Sequence, residues 1–112
     1  IGDARLRVVL YHIPQVSAVP IPFAAVARLR AAFPGTFAGI KDSAGKLEHM
    51  VALVREFPGL AVLAGADPLL LPLMKEGGAG CITATSNLVA AELAFVFRHF
   101  AGRLANRISN PG

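Results

Sequence analysis

The chain has 112 residues, a hydrophobic fraction of 54%, a mean hydropathy of +0.58, a net charge of +4 and a pI near 10.0. Its one cysteine, Cys81, excludes an internal disulfide and suits a reducing, cytoplasmic setting. The basic residues Arg5, Arg7, Arg28, Arg30, Arg55, Arg98, Arg103 and Arg107 are spread over several predicted elements without interleaved aromatics, which argues for solvated faces and against a nucleic-acid partner.

In chain order, residues 6–11 read as a strand that runs into a turn, since Pro14 cannot join the ladder of a central strand. The uncharged stretch from Val8 to Ala27 is long enough to cross a bilayer. It holds Pro14, Pro20 and Pro22 with His12 and Gln15, however, and a spanning helix tolerates those poorly, so no membrane partner is expected. A helix starting at Pro22 carries Phe23, Val26, Leu29 and Phe33 on one side, and Phe33-Pro34-Gly35 closes it before an apolar strand at 37–41. The second helix carries Leu47, Met50, Val51 and Val54 at i, i+3, i+4, i+7 spacing. Phe57-Pro58-Gly59 then repeats the earlier stop before a strand at 60–64. Pro68 suits the first turn of a third helix with Asp67 as its N-cap, and Pro72 must kink that helix or delay its start. Gly77 to Gly80 reads as helix stop and strand entry, lacking the lysine and hydroxyl residue of a phosphate loop. A strand at 80–83 precedes a last helix from about Val89 to Leu104, with Leu93, Phe97, Phe100 and Leu104 aligned.

Strands alternating with helices in this way signal a parallel α/β fold, and continuous apolar runs fit strands covered on both faces. Periodicity leaves a barrel and a doubly wound sheet both open. In either, binding groups gather at the carboxyl ends of the strands. Those ends carry Tyr11, Lys41 with Ser43, Gly65 with Asp67, and Thr83.

Lys41 is the most informative of these residues, and the chain has only three lysines. At the end of a buried strand, desolvation disfavours the ammonium, and an amine kept partly neutral can attack a ketone to form a Schiff base. The plainer reading is a lysine that snorkels to water. Side chains alternate along a strand, so Tyr11 with Val9 and Lys41 with Gly39 each share a face. On parallel neighbouring strands, a phenol would then stand beside an amine as a proton relay; alternatively, Tyr11 packs its ring and wets its hydroxyl. His12 either lines the pocket mouth or hydrogen-bonds a loop carbonyl, while His49 and His99, on helices, are expected to face solvent. No Cys/His cluster or carboxylate pair stands at metal-ligand spacing, so no metal site is expected.

Tyr11-His12-Ile13-Pro14, Gly39-Ile40-Lys41-Asp42-Ser43-Ala44-Gly45, Gly65-Ala66-Asp67, and Gly77-Gly78-Ala79-Gly80-Cys81-Ile82-Thr83 with Asn87 follow one another in an order and spacing that resemble one family. It is the dihydrodipicolinate synthase / N-acetylneuraminate lyase family of class I, Schiff-base aldolases. The resemblance runs from about Val8 to Phe100. It implies a partial (β/α)8 TIM barrel, with four βα units corresponding to strands five to eight. A complete barrel of this class needs about 250 residues. The chain starts at Ile1 rather than methionine. Residues 1–112 are therefore expected to form a single domain, the carboxy-terminal half of a barrel.

The resemblance further implies that Lys41 forms an imine with pyruvate or another 2-oxo acid and that Tyr11 shuttles protons. Ile82, Gly65 and Ser43 become the substrate-binding candidates, Gly65 and Ile82 by shaping the pocket or meeting the carboxylate through backbone. No cofactor is implied, and a homo-oligomer is. Dihydrodipicolinate synthases usually carry an arginine where Val16 stands, which argues against a strict lysine-biosynthesis role and for a sugar-acid or other 2-oxo-acid aldolase or lyase; the family also contains dehydratases. Two alternatives stay open: an inactive half-barrel that self-associates or needs its missing half, and a basic binding module.

Overall fold

The computed structural model describes residues 5–109, with side chains through Phe100 and at Arg103, so the expected contribution of Leu104 lies outside the described side chains. Four strands, β1 (Val8–His12), β2 (Phe37–Asp42), β3 (Ala61–Ala64) and β4 (Gly80–Cys81), form one sheet in the order β1-β2-β3-β4. Every neighbouring pair is parallel. A strand order that never reverses has no switch point, which decides against the doubly wound alternative.

Helices join the strands. The short α1 (Pro14–Ser17) follows β1 and was not expected; Pro14 at its first position lacks an N–H that would have been unpaired there anyway. α2 (Phe23–Ala32) begins after Pro22 and α3 (Leu47–Glu56) after Lys46. Both end at a Phe-Pro-Gly sequence, where the Phe33 and Phe57 amides donate to the Leu29 and Leu53 carbonyls. After β3 the chain takes a 3-10 turn at Asp67–Leu69 before α4 (Leu70–Lys75). Pro72 therefore sits in the first turn of α4, where a missing N–H breaks no helical bond. The expected delay, rather than a kink, is what occurs. Gly77 and Gly80 adopt positive φ as α4 gives way to β4. α5 (Ser86–Ser109) bends at Val89, so its longer part begins where the last helix was expected.

The core lies between one face of the sheet and α2, α3 and α4. Ile40, Val62 and Ala64 from the strands meet Val26, Met50, Leu53 and Leu73 from the helices, all fully buried. Leu53 replaces Val51 in the expected α3 stripe; Val51 instead borders a groove of about 790 Å³ on the outer helical surface. The opposite face of the sheet presents Val9, Tyr11, Lys41 and Leu63. Val9 and Tyr11 are exposed, and Lys41 and Leu63 are half-buried. Strand alternation thus sends Ile40 and Asp42 to the helices and Lys41 to the open face.

Candidate active site

Tyr11 on β1 and Lys41 on β2 are direct partners in the parallel register. The Lys41 Nζ lies 4.0 Å from the centroid of the Tyr11 ring, within cation–π range. Tyr11 remains 51% exposed, so the described residues leave this pair open rather than enclosed. Hydrogen bonding from Ser43 and then from Lys41 holds the Tyr11 phenol below its ordinary 10.0, desolvation opposing them and the Lys41 charge adding the smallest part. A phenol whose anion is favoured in this way can accept a proton as well as return one.

Ser43, the residue after β2, is tied down on several sides. Its amide donates to the His12 carbonyl at 2.9 Å, and its own carbonyl accepts from Gln15 Nε2 at 2.6 Å. Gly65, at the end of β3, donates its amide to the Asp42 carbonyl at 2.9 Å. A Cβ at Gly65 would fall 1.9 Å from Ser43 Oγ and 2.8 Å from its Cα. The glycine is therefore what lets Ser43 reach the site. Ile82, past β4, is exposed and donates its amide to the Ala64 carbonyl at 3.0 Å. Its carbonyl and side chain are the parts left for any substrate contact.

Two polar clusters differ from their sequence readings. Asp67 caps no helix; its two carboxylate oxygens accept from the Thr83 and Thr85 hydroxyls, joining the loops after β3 and β4. Those bonds hold its carboxyl below the usual 3.8, the Thr83 bond contributing most. His49, expected to face solvent, is only partly exposed, at 28% of its side chain. Its Nδ1 lies 2.5 Å from Oδ2 of the fully buried Asp42, and its ring stacks on His12 at 4.8 Å between centroids. His12 is buried and accepts the Ile21 amide on Nδ1 at 3.2 Å, a backbone N–H rather than donating to a loop carbonyl. Burial holds its imidazole below 6.5, the Asp42 charge acting against that and His49 adding to it.

Among the described residues, His12, Asp42 and His49 are the one group whose potential ligand atoms converge, all within 4.8 Å. No linear spacing announced them. They do not fit a metal centre: His12 Nδ1 is an acceptor, so its neutral ring carries the proton on Nε2. A metal-bound histidine instead donates its remaining N–H. Asp42 Oδ1 is likewise occupied by the Ala44 amide at 3.0 Å. The sequence did hold one signal for this cluster, a carboxylate directly after Lys41 on the helix-facing side of a buried strand, which demands a polar partner.

The dihydrodipicolinate synthetase family model matches residues 1–108. The chain belongs to this family. It is 40% identical over 97 residues to an uncharacterized DapA-like lyase of Chloroflexus aurantiacus, covering 87% of this chain and 32% of the relative. Identity to the 4-hydroxy-tetrahydrodipicolinate synthase of Hyphomonas neptunium is 41% over 97 residues, covering 83% and 32%. The dihydrodipicolinate synthase structure from Agrobacterium tumefaciens superposes with a TM-score of 0.72 at 38% identity, over 79% of this chain and 31% of that one. An E. coli prophage protein of the same family, solved in complex with pyruvate, gives 0.79 at 25% identity, over 93% and 36%. The chain thus spans about a third of the length of the family relatives it matches. Its four βα units form a partial barrel of the family's fold.

Proposed function

We propose that this chain supplies the Schiff-base half of a class I lyase or aldolase acting on a 2-oxo acid. It would form the carboxy-terminal half of the barrel, strands five to eight. The observation that carries this reading is the Lys41 amine beside the Tyr11 phenol at adjacent strand ends, 4.0 Å from ring centroid to nitrogen. In its unprotonated form the Lys41 amine adds to the ketone carbon, and loss of water leaves a protonated imine. That cation accepts the electron pair released when a C–H or C–C bond beside it breaks, giving an enamine. Tyr11 takes up and returns the proton, with Ser43 and Lys41 favouring its anion. Gly65 keeps room beside Ser43, and Ile82, exposed just past β4, would contact the substrate through its backbone or side chain.

Pyruvate, bound in the E. coli neighbour, is the simplest substrate of this class. Val16, in α1 and 76% exposed, offers no charge to a second carboxylate, which supports a sugar-acid type of substrate. The same reading carries a cytoplasmic location and a homo-oligomer. The single cysteine supports the first, and exposed apolar residues such as Leu88 and Phe95 support the second. Among the described residues, no helix is long and apolar enough to cross a membrane.

Enamine formation exchanges the methyl protons of pyruvate for deuterium in D2O. Exchange followed by proton NMR should be catalysed by this chain, abolished in Lys41→Ala and slowed at least tenfold, of the order expected for a lost general acid–base group, in Tyr11→Phe. Equal exchange in all three proteins contradicts the reading. The exposure of Tyr11 favours a second one, in which the site works only when closed by four further βα units. Exchange absent from the folded chain, yet present when the first four units of a relative are supplied in trans, selects it.

A further inference from the structure

The helix side of the sheet carries a polar cluster that the proposed chemistry does not use. Asp42 is fully buried, yet it stands in the chain between Lys41, the register partner of Tyr11 with its Nζ 4.0 Å from the ring centroid, and Ser43, which hydrogen-bonds the phenol. One carboxylate oxygen accepts the Ala44 amide at 3.0 Å, folding the chain around Ser43 in an Asx-type turn. The other meets His49 Nδ1 at 2.5 Å. Among the described residues His49 is the one partner of that oxygen, and a buried carboxylate missing a partner is costly enough to rearrange its surroundings. His49 is itself held in place by His12, stacked at 4.8 Å, and by Phe23, tilted at 5.5 Å.

We propose that the Asp42–His49 pair is the positioning device of the site: from the helix side it fixes the turn that aims the Ser43 hydroxyl at Tyr11 on the open side. His49 is thus a positioning residue, acting through Asp42 and Ser43 without touching substrate. The catalytic meaning of this device rests on Tyr11 being the proton relay, but the device itself is read without any activity.

The chain has a single tyrosine and no tryptophan, so phenolate absorbance reports Tyr11 alone. In the full chain, Ser43→Ala should shift the Tyr11 titration upward toward an ordinary phenol. His49→Phe keeps a ring against His12 and Phe23 but removes the donor, and it should shift the titration in the same direction. His49→Asn can place its amide nitrogen where Nδ1 stands and should restore the wild-type midpoint. A folded His49→Phe, or a folded Ser43→Ala, with an unmoved Tyr11 titration overturns the proposal. Should His49→Phe fail to fold, His49→Asn and His49→Ser decide it, since both are small and polar: equal midpoints overturn the proposal, and an upward shift in His49→Ser alone supports it. A shifted phenol without pyruvate exchange in the wild-type chain would leave the device standing and count against the enzymatic reading.

Discussion

At the scale of the residue, the site depends on which side of a strand each group leaves. Lys41 and Tyr11 face the open side and Asp42 and His12 the helices, an alternation that holds an amine and phenol apart from a carboxylate and imidazole one peptide away. Gly65 stands where Ser43 crosses this boundary. Gly65→Ala forces a Cβ onto the Ser43 side chain and backbone, and overpacking of this kind costs about 1–3 kcal/mol. Chemical denaturation should show that loss, together with an upward shift of the Tyr11 titration; an alanine variant with unchanged stability would contradict the close approach. The strand-end placement of Tyr11, Lys41 and Gly65 was legible in the sequence because each follows an apolar run. The partners of Asp67 and His49 were not. Thr83 and Thr85 reach Asp67 only after a whole helix and strand have intervened, and His49 looks like a surface position until Asp42 is known to lie beneath it.

The elements were largely legible, since helix stops at Phe-Pro-Gly and the apolar stripes are local signals. Misjudged details came from tertiary context. Leu53 is buried because α3 packs toward β3, and Val51 turns to the outer groove. Strand contacts at this scale are equally specific. A Cβ at Gly39 would lie 2.4 Å from the Ala61 carbonyl oxygen, in the neighbouring strand β3. Gly39→Ala should destabilise the fold by about 1–3 kcal/mol and disturb the strand that carries Lys41. Met50→Ala, at the fully buried centre of the core, should cost about 2–5 kcal/mol in the same urea titration while leaving the Tyr11 absorbance titration in place. A Met50→Ala cost below the ordinary surface range of about 0.5 kcal/mol would contradict the assigned core.

For the whole molecule, stability should depend on pH through His12. Its folded imidazole is held below 6.5, so the unfolded chain binds the proton more readily. The contribution is intact above 6.5 and is lost as the pH falls through the lower folded value. Urea midpoints measured between about pH 7.5 and pH 5 should decline, and the decline should flatten in His12→Leu; parallel profiles would contradict this origin. The sheet also has two open edges, β1 and β4, and one uncovered face, which among the described residues no other strand or helix closes. Such edges and apolar surface favour association, so sedimentation should find assemblies larger than one chain. The family and its fold were legible here because the motif order is kept in a partial barrel that spans about a third of its relatives' length; the openness of the Tyr11–Lys41 pair was not, since exposure is decided by packing and not by motif order.

The central claim is that Lys41 couples covalently to a 2-oxo acid. Borohydride reduction in the presence of pyruvate, followed by peptide mass analysis, tests it most directly, because the chain's other two lysines, Lys46 and Lys75, serve as internal controls. We expect a reduced pyruvate adduct on Lys41 alone, absent from Lys41→Ala. Folded protein that gains no adduct there, or gains it equally on all three lysines, would contradict the account.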